Sequence, residues 1–556
     1  MISNTALLRP PPFPRLDASA FNRGGPPCFD IPTGEELERV FSAIREARVG
    51  GAFWADPIKL TMPETHLPVE TVIRSNSAVE LAQLQEHLDE QSTLPLVNAG
   101  GVETIDPWSV LPFAKSLWAH GSDEWIAIAS MLGLEIQVAS PGIYGSPDDT
   151  KEDLLSRAAH AFERPMRDPF SNKWLKPIDA IARLAEWRRV IDANRGEAGK
   201  RLVAACGISW WKRDEIERFL WSPGRPVRIY ASTKRALKAA KREGGALAVW
   251  PSRISHDLID RARRSDVALA RVEDGFVRSV GLGSNFVPPL SVVVDRRGIH
   301  FDPGQPSDLE VLLASTDFSV GQVERAARLR KAIVEAGISK YASGRGYNSR
   351  DRQKDPSKRI VLVPGQVEDD MSVLAGGGGM TSNLELLRRA RELEPDAVIW
   401  WRPHPDVDAG HRNGFVSDDD ALQYADEIKR DGSMADLLQE VDGLHVLTSL
   451  SGFEALLRGR DVTCHGAPFY AGWGLTRDIG EIPDRRRRKL HLDELVAGVL
   501  LLYPRYLDPV TGLPCPPEVL VERMRSNQMP NRLGWVGPVR RVQGRIMSLL
   551  RKASAR

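Results

Sequence analysis

Two series of short apolar runs constrain this chain most. Leu202 to Ala205, Val227 to Tyr230, Ala246 to Trp250 and Val267 to Ala270 form the first, and Arg359 to Pro364, Ala397 to Trp401, Gly443 to Leu447 and Asp461 to Cys464 the second. Each run has strand length, and helical segments such as Lys234 to Arg242 separate them, which is the pattern of parallel sheets covered on both faces. The spacing predicts an α/β chain with two Rossmann-like domains, residues 200–340 and 359–505, whose strand ends face a cleft. Ahead of them, residues 1–30 read as a Pro-rich leader and 31–165 as a smaller α/β region. Residues 506–556 read as a basic tail.

Composition excludes several classes. With 556 residues, 42% hydrophobic and 27% charged, the chain is globular and long enough for about three or four domains. The four cysteines, Cys28, Cys206, Cys464 and Cys515, are too scattered for a metal cluster or a disulfide framework, which favours a reducing compartment. Met1 to Asp30 lacks the basic-then-apolar order of a secretory signal, and no apolar run reaches the ~20 residues that span a bilayer. Membrane contact is therefore expected to be peripheral. The tail, which carries Arg540, Arg541 and Arg545 among apolar residues and no acid after Glu522, suits either solvent or an anionic lipid surface. The basic run at Arg485 to Lys489 has no interleaved aromatics, so no nucleic-acid partner is expected.

Chemistry-bearing residues cluster where the strands end. Gln366 opens a stretch with three consecutive carboxylates, Glu368, Asp369 and Asp370, a crowding that suits either a cleft or the first turn of a helix. Glu273 and Asp274 follow another strand, flanked by Arg271 and Arg278, which can pair with those acids or with an anionic sugar. His404 is held between Pro403 and Pro405 and can donate to a phosphate oxygen. Thr448, Ser449 and Ser451 place hydroxyls at a helix start suited to phosphate, with Glu454 on the first turn. The glycines Gly376 to Gly379 read as a mobile loop at the cleft, and Pro468 to Gly474 as packing.

The stretches RVEDGFVRSVGLG (Arg271 to Gly283), VPGQVEDDMS (Val363 to Ser372), His404 to Asp406 and Ser449 to Thr476 closely resemble the capsule-polysaccharide β-Kdo transferases of the KpsC type. The resemblance covers about 201–509. It implies GT-B architecture and transfer of Kdo from CMP-β-Kdo, with retention, onto a lipid-linked glycan at the cytoplasmic face of the inner membrane, alongside capsule biosynthesis and export proteins. It also implies Asp370 as nucleophile, Glu273 or Asp274 as acid/base, and a CMP site of Gln366, His404, Pro405, Ser449, Ser451 and Glu454. Arg271 or Arg278 would meet the sugar carboxylate or the acceptor. No cofactor and no metal is implied. Relatives commonly carry two transferase modules, whereas this chain has one complete motif set; 31–165 is expected to be a degenerate, noncatalytic remnant. A transferase using CMP-sialic acid or a UDP-sugar, or an inactive export scaffold, is the competing reading.

Overall fold

The computed structural model describes residues 6–14, 29–58, 69–85, 93–97, 105–163, 165–196, 200–224, 226–277, 287–338 and 358–530. Arg278, nearly all of the stretch 340–358 and the basic residues from Arg532 onward lie outside them. The chain divides into two compact units, residues 1–201 with 220–227, and 202–219 with 228–556.

The first unit is built on four parallel strands, β1 (Val69–Ser75), β2 (Thr93–Val97), β3 (Ala114–Ala119) and β4 (Glu135–Val138), in the order β2-β1-β3-β4. The helix Trp125–Leu132 is almost entirely buried, and its apolar sequence shows no amphipathic stripe because neighbours cover it on most sides. Two expectations fail here. Residues 6–14 are irregular, as their prolines require, but they are not a free leader: Leu7 and Phe13 are buried, and Phe13 meets the rings of Trp187 and Trp221. The unit also extends beyond 165. The helix Pro177–Arg195 sends Arg188 and Arg195 to the fully buried Asp106, at 2.8 and 2.7 Å, and both also pair with Asp192. Buried charges persist only when paired, so this network ties the helix to its unit. Apolar periodicity does not reveal such a tie.

The second unit holds two sheets. Strands β5 (Leu202–Cys206), β6 (Arg228–Tyr230), β7 (Ala246–Val249) and β8 (Leu269–Asp274) are parallel in the order β8-β7-β5-β6. Strand β9 (Ser291–Asp295) joins β8 antiparallel. Six further strands, β10 (Ile360–Pro364), β11 (Val398–Arg402), β12 (Glu427–Ile428), β13 (Gly443–Val446), β14 (Asp461–Cys464) and β15 (Arg477–Asp478), form a wholly parallel sheet ordered β12-β11-β10-β13-β14-β15. The chain then returns to the first sheet: β16 (Pro504–Leu507) pairs antiparallel with β9, and β17 (Pro514–Cys515) pairs with β16. The expected tail thus begins as sheet, and the helix Pro517–Arg525 follows it, anchored by Arg325 to Glu518 at 2.6 Å and Arg523 to the buried Asp508 at 2.8 Å. A four-residue strand starting with proline carries too little pattern to read. No helix among the described residues is long and apolar enough to cross a membrane.

On β13 and just past β14, His445 and His465 face each other with Nδ1 and Nε2 3.0 Å apart, both buried. One ring must donate and the other accept, so the two cannot both be doubly protonated. Burial, then Arg477 and Arg359, pushes His445 down to about 4; burial, then His445, does the same to His465. Unfolding restores values near ~6.5, so between these limits the unfolded chain binds more protons. Stability is therefore full above about pH 6.5 and declines as pH falls toward 4. Thermal melts from pH 7.5 to 5 are expected to lose several degrees, and His465→Asn to show a flatter dependence; an unchanged slope in that variant would exclude the pair as the source.

Candidate active site

In the six-stranded sheet the strand order reverses between β10 and β13, and a crevice opens where neighbouring loops diverge from such a point. Two amides close its base. The Gln366 side chain accepts the Thr448 N–H at 2.9 Å and donates to the Thr448 hydroxyl at 3.0 Å. Asn383, 3% exposed, accepts the Gln366 N–H at 2.9 Å and donates to the carbonyls of Gln366 and Gly414, both at 2.8 Å. Gly365 must be glycine, because a Cβ there would stand 2.8 Å from the Trp401 ring and 3.2 Å from the His404 nitrogen. Gln366 lines the cavity, but its carbonyl and one amide N–H are committed to holding the two loops.

A cavity of about 600 Å³ lies over this crevice within the second unit. Asp370, Gln366, His404, Pro405, Ser449, Ser451, Glu454, Glu273 and Asp274 all line it. The three consecutive acids have separate tasks. Glu368 accepts the Asn383 N–H at 2.8 Å, Asp369 pairs with Arg412 at 3.0 Å, and Asp370 caps the helix Met371–Gly376. Asp370 Oδ1 receives the Ser372 N–H at 2.9 Å and the Ser372 hydroxyl at 2.7 Å, which fixes an exposed carboxylate toward the cavity. Capping and presentation to a cleft are here one arrangement. At the end of this helix, Gly376 and Gly377 are buried and packed, with Ala467 N–H donating to Gly376 O at 2.8 Å, so the glycine stretch begins as packed backbone and only Gly378 and Gly379 have open surroundings.

His404 caps the short helix Pro405–Asp408, its Nδ1 accepting the Asp406 N–H at 3.2 Å. A neutral ring so bonded carries its proton on Nε2 and is a donor there. Ser449 caps the helix Leu450–Leu457, accepting the Ser451 N–H at 3.3 Å while the Ser451 hydroxyl donates to Ser449 Oγ at 2.7 Å. The Tyr470 hydroxyl donates to the Ser449 carbonyl. Glu454 is buried; the neighbouring Arg458 is held below the usual guanidinium value by burial, against the pull of Glu454. Phe276, His300, Phe301 and Phe469 form an aromatic wall, His300 lying 4.9 Å from Phe276 and 5.7 Å from Phe469 between ring centroids. His300 and Phe301 escaped the sequence reading because they follow the unrecognised strand β9. Phe469 faces the cavity while Tyr470 and Trp473 pack in the core, so the Pro468 to Gly474 stretch does both jobs.

The opposite wall carries Glu273 and Asp274 at the end of β8. Asp274 is bound by Lys212 Nζ at 2.9 and 3.1 Å, and Glu273 Oε1 accepts the Asp274 N–H at 3.0 Å. Arg271 does not reach the cavity lining. It sits two residues back, ~7 Å along the strand, and donates to the Arg297 carbonyl at 3.3 Å. Among the described residues, the arginines that line the cavity are Arg402 and Arg412. Arg402 bonds the carbonyls of Lys429, Asp431 and Gly432, and its burial lowers it from the usual arginine value.

Residues 245–506 match the family described as capsule polysaccharide biosynthesis protein. The lipopolysaccharide-processing protein LpsZ of Rhizobium meliloti is 40% identical over 312 residues, which cover 55% of this chain and 70% of LpsZ. The chain belongs to the capsule polysaccharide biosynthesis family. A second family relative, the capsule polysaccharide modification protein LipA of Neisseria meningitidis serogroup A, is 42% identical over 334 residues, 60% of this chain but 46% of LipA. This chain thus spans about half the length of that relative. Among solved structures, the chain described as Thermosulfurimonas dismutans KpsC, beta Kdo 2,4 transferase is 32% identical, with 58% of this chain and 98% of that one covered and a TM-score of 0.50.

For this member of the capsule family, Gln366→Leu leaves the Thr448 N–H buried without its acceptor. Such a loss costs about 1–3 kcal/mol. Urea denaturation is expected to show it; a change under about 0.5 kcal/mol would contradict the role given to this amide.

Proposed function

We propose that this protein is a retaining β-Kdo glycosyltransferase that moves Kdo from CMP-β-Kdo to a lipid-linked glycan in capsule biosynthesis. The observation that carries this is the cavity itself: a fixed carboxylate, Asp370, shares it with a hydroxyl-lined helix start, a histidine donor and a second acid pair. The likeness to a solved Kdo transferase supports the choice of sugar. On this reading the two sheets of the second unit are the halves of a GT-B enzyme, the seven-stranded sheet serving the acceptor and the six-stranded sheet CMP.

Asp370 attacks the anomeric carbon as the bond to the phosphate oxygen breaks, and CMP leaves with that electron pair. The phosphate meets the N–H groups at the start of the helix Leu450–Leu457, the Ser449 and Ser451 hydroxyls and His404 Nε2–H, while buried Glu454 faces the nucleoside. The leaving group is a phosphate monoester, so it needs no acid, cofactor or metal. An acceptor hydroxyl then attacks the glycosyl ester from the opposite face, and two inversions give retention. Glu273 takes its proton, since Asp274 is held by Lys212. Arg412, which lines the cavity and is paired with Asp369 through one nitrogen, meets the sugar carboxylate through its remaining N–H groups on this reading. On this reading the enzyme works at the cytoplasmic face of the inner membrane, where its lipid-linked acceptor and the export proteins are; of the basic tail, residues 531–556 lie outside the described residues.

The first unit reads as a relic of a CMP-binding half. Its order β2-β1-β3-β4 repeats β11-β10-β13-β14. Where Ser449 caps its helix, Asp123 accepts the Trp125 N–H at 3.0 Å, and Ile128 stands at the place of Glu454. The Asp123 carboxylate repels phosphate and is paired with Arg74 at 3.0 Å. A CMP bound at Asp123 in a ligand-soaked crystal would contradict this reading.

Intact-protein mass spectrometry with freshly made CMP-Kdo tests the main proposal. Wild type is expected to gain one Kdo residue and Asp370→Ala none, with transfer reduced at least ~10³-fold in the variant. Transfer by Asp370→Ala at the wild-type rate would overturn the nucleophile. Transfer from CMP-sialic acid or a UDP-sugar but not CMP-Kdo would overturn the donor, and no transfer from any of them would favour a scaffold.

A further inference from the structure

Lys212 is 7% exposed, an unusual state for an ammonium group. It closes a short helical turn, Trp210–Lys212, just past β5. Its Nζ lies 3.6 Å from the centroid of the Trp250 ring and 5.0 Å from that of Trp211, and binds both oxygens of Asp274. Trp250 follows β7 and Asp274 ends β8, so one buried cation spans the carboxyl ends of three neighbouring strands, in the order β8-β7-β5.

Burying an ammonium costs several kcal/mol, and here an aromatic face and a two-oxygen ion pair offset it. A plain structural strut would explain that much. Two facts point further. Asp274 is part of the cavity wall, and its N–H holds Glu273 Oε1 at 3.0 Å, so fixing Asp274 also fixes the neighbouring acid. Among the described residues, the other charged or titratable groups on the lining are His300 past β9 and, from the second sheet's side, Asp370, Arg402, His404, Asp406, Arg412 and Glu454.

We infer that Lys212 is a positioning residue for the second half of the reaction, holding Asp274, and through it Glu273, where the acceptor hydroxyl loses its proton. This rests on the transferase reading above. In that half the acceptor oxygen bonds to the anomeric carbon, its proton passes to Glu273, and the carbon–oxygen bond to Asp370 breaks with its electrons returning to the carboxylate. The first half needs no proton transfer, because a phosphate leaves. Lys212 therefore governs discharge of the glycosyl-enzyme and leaves its formation alone.

The test follows both halves in the full-length protein. Adduct formation is timed by intact mass with CMP-Kdo alone, and transfer is measured to a synthetic glycoside ending in one β-linked Kdo. Lys212→Met is expected to form the adduct within about twofold of the wild-type rate, and to lose at least about tenfold in transfer kcat with the donor KM unchanged. Lys212→Arg, which keeps the bridging charge, is expected to recover most of that loss. Asp274→Asn, nearly the same shape, is expected to show the same split and serves if Lys212→Met does not fold. Wild-type transfer by Lys212→Met, or parallel loss of adduct and transfer in folded variants, overturns the inference. A wild-type protein that gives neither adduct nor transfer overturns instead the transferase reading.

Discussion

The amide of Gln366 holds the site together. It joins the loop after β10 to the loop after β13 at the point where the strand order of the sheet reverses. A parallel sheet opens a crevice there because successive crossovers leave on opposite faces. An open crevice alone does not fix two loops against each other. Buried hydrogen bonds between side chain and backbone do, since breaking them strands a donor away from water. Asp370 and Ser372 follow from one loop and Ser449 and Ser451 from the other, so a carboxylate and a helix start face one cavity.

Crowded charge is made usable by dividing it. Of three adjacent acids, Glu368 serves the backbone, Asp369 serves Arg412 and Asp370 is turned to the cavity. The opposite wall repeats this division: Asp274 takes the cation of Lys212, which sits against an aromatic face, while Glu273 accepts the Asp274 N–H beside it. In both places the residue next to the presented carboxylate absorbs the positive charge. The presented group then faces the cavity in a set direction with its neighbour already neutralised, which is what preorganised chemistry requires.

Much of this was legible in the residues, because buried parallel strands are short apolar runs and their ends carry polar clusters. Nine site positions, from Glu273 to Glu454, do share the cavity. Arg271 lies off the cavity lining, because neighbours in sequence along a strand are spread over several ångströms and two faces. Lys212 was missed because its partner lies 62 residues away, and a lone lysine after two tryptophans carries no periodic signal. The same holds for the packed segment 6–14, the helix Pro177–Arg195 and the returning strand β16. Their places depend on distant ion pairs, ring contacts and a single antiparallel pairing, none of which leaves a local pattern. Contacts distant in sequence shape this protein as much as its motifs do.

A crystal structure of the protein soaked with CMP tests the central claim most directly. The account predicts CMP in the cavity of the second unit, its phosphate within hydrogen-bond reach of the first turn of the helix Leu450–Leu457 and of His404 Nε2, and its nucleoside toward Glu454. CMP bound anywhere else, or a phosphate turned away from that helix start, would contradict it.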